Sequence, residues 1–377
     1  MKRRSVIGAL AVGAGAFGVP AICRSAQSNR SKELVVGQSA LLSGVVGTQV
    51  RTFNQGAHLA FESTNLGGGI NGQKVRFVSL DDEFSPAKTL ANTETLLREH
   101  RATALFGYIG THNVLAVDKL LRDEGVPLMA VPAITDAVRD QTMGSAYYVR
   151  ATSRQEGEKI VSQLRVLGMQ RVVVAHFASP GGEEFKTAVV TKLTELGMQP
   201  AKVVALKMDG SNIAEAAEAL ARVQPQAVIL YAVGIVPAKL IGEMEKLKAY
   251  PTVYGMSFVP AEATAEALQG RLRSLVVSQI VPYPWAGANP AIEQFRKRAN
   301  AAGVPINYVT MEGYVAASVL IEAIKRNKSS APGALHTAIK SLKATIAGLP
   351  VDFTGASNTG TNFVELTHIS ATGRISR

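Results

Sequence analysis

The stretch RVVVAHF, residues 171–177, carries Val172, Val173 and Val174 in succession and is almost wholly apolar. A strand with one wet face alternates apolar and polar residues. A strand apolar on both faces is covered by helices on both, as in a parallel α/β sheet. The flanking sequence agrees. Helical patterns near 182–196, 212–222 and 235–248 alternate with strand-like runs near 202–206, 226–231 and 252–254.

The same rhythm fills the preceding half. Leu34-Val35-Val36-Gly37 reads as a strand, and a helix over about 48–65 puts Phe53, Ala57, Ala60 and Phe61 on one face. The turn GGGING ends it, and KVRFVSL (74–80) is the next strand. Ser85 is placed to cap a helix whose first residue is Pro86. TALFG (103–107) is a strand, 111–124 a helix closed by Gly125, and VPLMAV (126–131) a fourth strand. Two α/β lobes with parallel sheets follow from this repetition of architecture. After LVVSQIV (275–281), helices starting at Asn289-Pro290 and spanning 311–326 and 332–343 precede short strands near 350–353 and 363–369. Periodicity alone assigns this tail to neither lobe.

VGAGAFG (12–18) matches the glycine pattern of a dinucleotide cradle, but no strand precedes it and no amphipathic helix follows. Its context is Met1-Lys2-Arg3-Arg4, an apolar run from Val6 to Val19, and a small-residue exit at Val19-Pro20-Ala21. That is the pattern of an export signal over residues 1–26, whose apolar run of 14 residues is too short for an anchor, which needs about 20 residues. Arg3-Arg4 suggests the twin-arginine route to the periplasm. Removing Lys2, Arg3, Arg4 and Arg24 lowers the formal charge from +11 to +7. The remaining basic residues are scattered, which argues against nucleic acid as a partner. Cys23 is the only cysteine, so disulfides, thiol catalysis and cysteine metal sites are excluded from the mature chain.

The six histidines, 58, 100, 112, 176, 336 and 368, show no metal-binding spacing, and no G-x-S-x-G elbow occurs. GGGINGQK has Gln73 where a P-loop needs lysine. Asp81-Asp82-Glu83 at a strand end suits either metal binding or a turn, and the turn reading is preferred. No metal, cofactor or catalytic residue is expected.

The segments VVGQSALLSGVVG, AFESTNLGGGINGQKVRFVSLDDEFSPAKTLANTETLL, LFGYIGT, GVPLMAVPAIT and MEGY, in this order, resemble the periplasmic binding proteins that feed branched-chain-amino-acid-type ABC transporters. The resemblance spans roughly residues 33–376. It implies a type I binding-protein fold, with two doubly wound lobes joined by three crossings near 148–152, 281–285 and 344–350. The first lobe would comprise 33–149 and 284–344, the second 150–283 and 345–377. It also implies a monomeric, non-enzymatic receptor that closes on a small polar ligand and delivers it to a membrane permease. A sensory module reporting to a membrane receptor is the alternative.

Ligands of such sheets bind beyond the carboxyl ends of the strands. Thr111, at the start of a helix, offers a hydroxyl and free N–H groups to an anion, and the family holds a carboxylate at this position. A simple N-cap is its other reading. Tyr108 and Gly110 share the loop, Tyr108 as ligand contact or packed aromatic. Ala133 and Thr135 match further family contact positions. Ser43 and Gly44 in the first lobe, and His176, Phe177, Val233, Gly234, Ser257 and Phe258 in the second, lie at strand ends that face the cleft. His176 is open to three roles: neutral hydrogen-bonding histidine, ligand contact or buried satisfied side chain. Trp285 suits hinge packing or stacking on ligand. Amino-acid-binding members place an acid in the second lobe, where this chain has Ser257, and a tyrosine where it has Ile235. An ammonium desolvated without a carboxylate costs several kcal/mol, so a carboxylate ligand lacking an α-amine is expected.

Overall fold

The computed structural model describes residues 33–129, 135–329 and 331–377. The export-signal segment 1–26 and Ala133 lie outside the described residues.

The first sheet is parallel throughout, in strand order β2-β1-β3-β4-β5. Its strands are β1 (Leu34–Ala40), β2 (Val75–Asp81), β3 (Ala104–Phe106), β4 (Leu128–Met129) and β5 (Ala146–Tyr147). Between them run α1 (Gly44–Leu66), α2 (Pro86–Arg98), α3 (Thr111–Glu124) and α4 (Asp136–Gln141). The Ser85 Oγ accepts from the Lys88 N–H, with Pro86 in the first turn, as the sequence predicts.

The second half runs α5 (Ser153–Val166), β6 (Val172–Phe177), α6 (Pro180–Glu195), β7 (Lys202–Leu206), α7 (Ile213–Ala221) and β8 (Ala227–Tyr231). It continues through α8 (Val236–Lys246), β9 (Thr252–Gly255), α9 (Ala261–Ala267) and β10 (Leu275–Gln279). Every residue of β6 is buried, as its unbroken apolar run demands. Then come α10 (Pro290–Ala301), α11 (Tyr308–Arg326), α12 (Ala334–Lys340), the antiparallel ribbon β11 (Lys343–Ile346) and β12 (Leu349–Asp352), and finally β13 (Glu365–Ile369) and β14 (Ile375–Ser376). The second sheet has order β14-β13-β10-β9-β8-β6-β7, parallel except for β13, which runs antiparallel to both its neighbours.

Each sheet is covered on both faces. One apolar cluster joins Phe53, Phe106, Met311 and Phe295 between the first sheet, α1 and α10–α12; another joins Leu96, Leu105, Val117 and Leu121 beneath α2 and α3. In the second lobe α7–α9 pack on one face around Leu220, Leu230 and Leu240, and α5 and α6 on the other around Ile160, Val174 and Phe185. Each fully buried large aliphatic or phenyl side chain contributes about 1.5–3 kcal/mol.

The tail settles by packing. Helices α10–α12 bury their apolar faces in the first core, and so do Leu349, Val351 and Phe353. The chain therefore stays with the first lobe through the ribbon and joins the second sheet at Glu365, later than the crossing near 344–350 implied by resemblance. Asn358 and Gly360 in that last passage pair with Tyr148 of the first: Tyr148 N–H donates to the Asn358 carbonyl (2.8 Å), and Gly360 N–H to that of Tyr148 (2.8 Å). Arg139 braces the same place, donating to the carbonyls of Arg150 (3.0 Å) and Ala151 (3.2 Å). Burial lowers the Arg139 guanidinium to about 10, with Asp136 opposing the shift.

Candidate functional site

Strand order reverses between β1 and β3 in the first sheet and between β6 and β8 in the second, the positions at which open α/β sheets bind ligands. A cavity of about 530 Å³ lies between the lobes. The first lobe walls it with Val50 and Phe53 of α1, Gly107 and Ile109 after β3, and Tyr308, Val309 and Glu312 at the start of α11. The second contributes Ser257 to Ala263 after β9, Gln279 of β10 and Ile375. Arg150, in the first crossing, forms the floor between them.

The walls are mainly apolar and the floor is charged. Arg150 is 8% exposed. Its Nη2 donates to Ser257 Oγ (2.8 Å) and lies 3.6 Å from Glu156 Oε1, while Nη1 donates to Glu312 Oε1 (3.2 Å). Glu156 sits in α5, whose start is set by a capping box between Thr152 and Gln155. Its carboxylate also accepts from the Ser257 N–H (2.8 Å), Ser257 Oγ (3.0 Å) and Ser278 Oγ (2.5 Å). Burial pushes the Glu312 carboxyl above its ordinary value; Arg150 pulls it back and Glu156 pushes it further up.

Of the residues singled out in the sequence, Ser257 and Phe258 line this cavity. Gly110 and Thr111 adjoin it through Ile109, Thr111 as the first residue of α3 and half-buried. Gly110 has φ +97°, and a Cβ there would sit 2.8 Å from the Phe84 ring, so two constraints require glycine. Tyr108 is fully buried, its hydroxyl 2.9 Å from Thr93 Oγ1 in the core, which is the packed-aromatic reading. Ser43 and Gly44 are exposed at the start of α1. His176 is buried with Nδ1 3.0 Å from the Phe177 carbonyl oxygen, and Phe177 packs in the second core. Val233 and Ile235 are exposed on the loop after β8, beyond the cavity wall.

Thr135 is the N-cap residue of α4, and the lobes meet beside it. Glu184 of α6 reaches across, accepting from the N–H groups of Asp136 (3.0 Å) and Ala137 (2.9 Å). Trp285 packs against Tyr283 (centroids 5.1 Å) and Tyr308 (5.8 Å) at the second crossing, so hinge packing describes it.

Asp82 is fully buried and accepts from Ser39 Oγ, Thr89 Oγ1, Asn113 Nδ2 and the Phe84 N–H, while Asp81 accepts from the N–H groups of Leu42 and Glu83. These carboxylates hold the turn. Among the described residues no group of histidine, cysteine and acidic side chains could hold a metal ion, and no helix is long and apolar enough to cross a membrane.

Sequence reasoning passed over Arg150, Glu156 and Glu312. The signals were faint: Glu312 lies within MEGY, which carried the resemblance, and Glu156 follows the Thr152/Gln155 cap by one residue. The inference that the cleft lacks an acid near Ser257 is corrected, because Glu156 and Glu312 flank Arg150 there.

The profile of the family described as periplasmic binding protein matches residues 33–374. An amino acid binding protein of Pseudomonas aeruginosa is 22% identical over 170 residues, 44% of this chain and 45% of that protein. The chain thus spans less than half the length of the curated relatives it matches. A substrate-binding periplasmic protein from Ralstonia solanacearum is 27% identical with a TM-score of 0.80, the alignment covering 91% of this chain and 99% of that one. An extracellular ligand-binding receptor from Verminephrobacter eiseniae reaches a TM-score of 0.83 at 22% identity, over 92% and 100% of the two chains.

Proposed function

The chain belongs to the periplasmic binding protein family, and from that premise we propose that it is an extracytoplasmic solute receptor. It captures a small carboxylate or amino-acid-like molecule between its lobes and delivers it to an ABC importer in the inner membrane. In this reading the protein is exported by way of residues 1–26, works as a monomer, and releases its ligand unchanged.

The observation that carries the proposal is the cavity of about 530 Å³ whose walls come from both lobes and whose floor is a crossing segment. A ligand there gains contacts with the second lobe only when the lobes approach, and that difference in affinity is what drives closure. The backbone N–H groups at the start of α3, with Thr111, form the anion seat beside the cavity. Phe53, Ile109 and Phe258 receive the apolar body.

A thermal-shift screen of small acids, amino acids and amides tests this. A ligand at 100 times its Kd stabilises the folded state by about 2.7 kcal/mol. Hits should also reduce the radius of gyration in X-ray scattering. A library that neither raises the melting temperature nor compacts the protein refutes the proposal.

A further inference from the structure

We infer that Glu312 reads a hydrogen-bond donor on the ligand, above all an ammonium group, with Arg150 as the positioning residue that holds its carboxylate at the floor of the cleft. The inference rests on the solute-receptor reading and assigns the ligand's polar end.

The two carboxylates on Arg150 are unequal. Glu156 is saturated by three donors from Ser257 and Ser278 in addition to the guanidinium. Glu312 has one contact, Oε1 with Arg150 Nη1 at 3.2 Å. Among the described residues its Oε2 has no hydrogen-bond partner, although the side chain is only 18% exposed and lines the cavity. That oxygen opens onto the cavity and is free to accept from a donor on a bound ligand.

Charge points the same way. One guanidinium serves two carboxylates, Arg150 is the only basic residue on the cavity wall among the described residues, and Glu262 adds a further acid. A bare carboxylate brought to this floor would be a third anion around a cation already shared. An ammonium would complete the pairing of Glu312 and cancel the excess charge. Family resemblance places the acid at a strand end of the second lobe; here it comes from α11 in the first. The walls above, Phe53, Ile109, Phe258, Ile306 and Val309, take an apolar body. The ligand class is therefore a small amphipathic amine or amino acid, rather than the amine-free acid that Ser257 alone suggested.

Isothermal calorimetry on the full chain with matched probes decides it: L-phenylalanine, 2-phenylethylamine and 3-phenylpropanoate, then L-leucine, 3-methylbutylamine and 4-methylpentanoate. At least one amine-bearing probe should bind about ten-fold or more tightly than its amine-free partner. Glu312→Gln should erase most of that gap by weakening the amine, with an unchanged circular dichroism spectrum. Equal or tighter binding of the amine-free acids overturns the inference, as does a gap untouched by Glu312→Gln or binding of none of the amines. The comparison on the unmodified protein stands even if the variant fails to fold. Hits confined to amine-free acids in the wider screen would sink this inference and leave the receptor reading in place.

Discussion

Replacing Gly313 by alanine puts a methyl group into the seam between α1 and α11. The new Cβ would lie 1.9 Å from the Phe53 carbonyl oxygen, 2.8 Å from its carbon and 3.1 Å from the Ala57 nitrogen. Gly56 mirrors it, with a Cβ 1.9 Å from the Thr310 oxygen. The obstacles are backbone atoms, which cannot rotate aside as a side chain would. The helices must part by roughly 1–1.5 Å to restore contact distance. Overpacking costs about 1–3 kcal/mol, and a backbone obstacle belongs at the upper end. Alanine returns about 1 kcal/mol of helix propensity. The net loss is about 2 kcal/mol, which lowers the melting temperature of the first lobe by roughly 4–8 °C. Gly242→Ala in α8 is the control, because its nearest atom, Leu268 Cδ2, lies 3.8 Å from the new Cβ. Propensity alone should raise stability there by about 0.5–1 kcal/mol. Differential scanning calorimetry of both variants reads the contrast. Both helices also wall the cavity, so Gly313→Ala should weaken ligand binding too. A Gly313→Ala protein melting at or above the wild type, beside a normal control, would refute this packing.

Glu312→Gln should stabilise the unliganded protein at neutral pH. The carboxyl is raised by burial, so its favourable contribution is present below the ordinary carboxylate value and is lost as pH rises through the raised one; melting curves from pH 4 to 8 should show the variant's advantage fading as acidity increases. Asp82→Asn should cost about 1–3 kcal/mol of stability, since the amide puts a donor among four existing donors, without making binding depend on divalent metal; chemical denaturation and calorimetry with a chelator measure the two parts. Thr111→Val should weaken binding by about 1–3 kcal/mol if its hydroxyl faces the ligand, and unchanged affinity removes it from the site.

The architecture was legible because its signals are local and periodic. The valines of β6 announce a strand covered on both faces, and Ser85-Pro86 announces the start of α2. Short elements were not legible. β5 is two residues long and α4 six, lengths at which hydrophobic periodicity has no room to repeat. The ribbon went with the first lobe because Leu349, Val351 and Phe353 fit its core, a long-range preference that no window of sequence contains. The site divides likewise. Ser257 and Phe258 follow from the rule that ligands sit past strand ends. Arg150, Glu156 and Glu312 come from a crossing and two helices far apart in the chain, and only folding makes them neighbours.

Trp285 is the chain's single tryptophan, wedged beside Tyr308, which itself faces the cavity. All indole fluorescence therefore originates at one corner of the joint, behind a residue of the cavity wall. Any shift in the spectrum on mixing with a candidate solute reports on that corner alone. If the lobes close on a solute as proposed, the protein carries its own optical gauge of that motion, and no dye need be attached to read it.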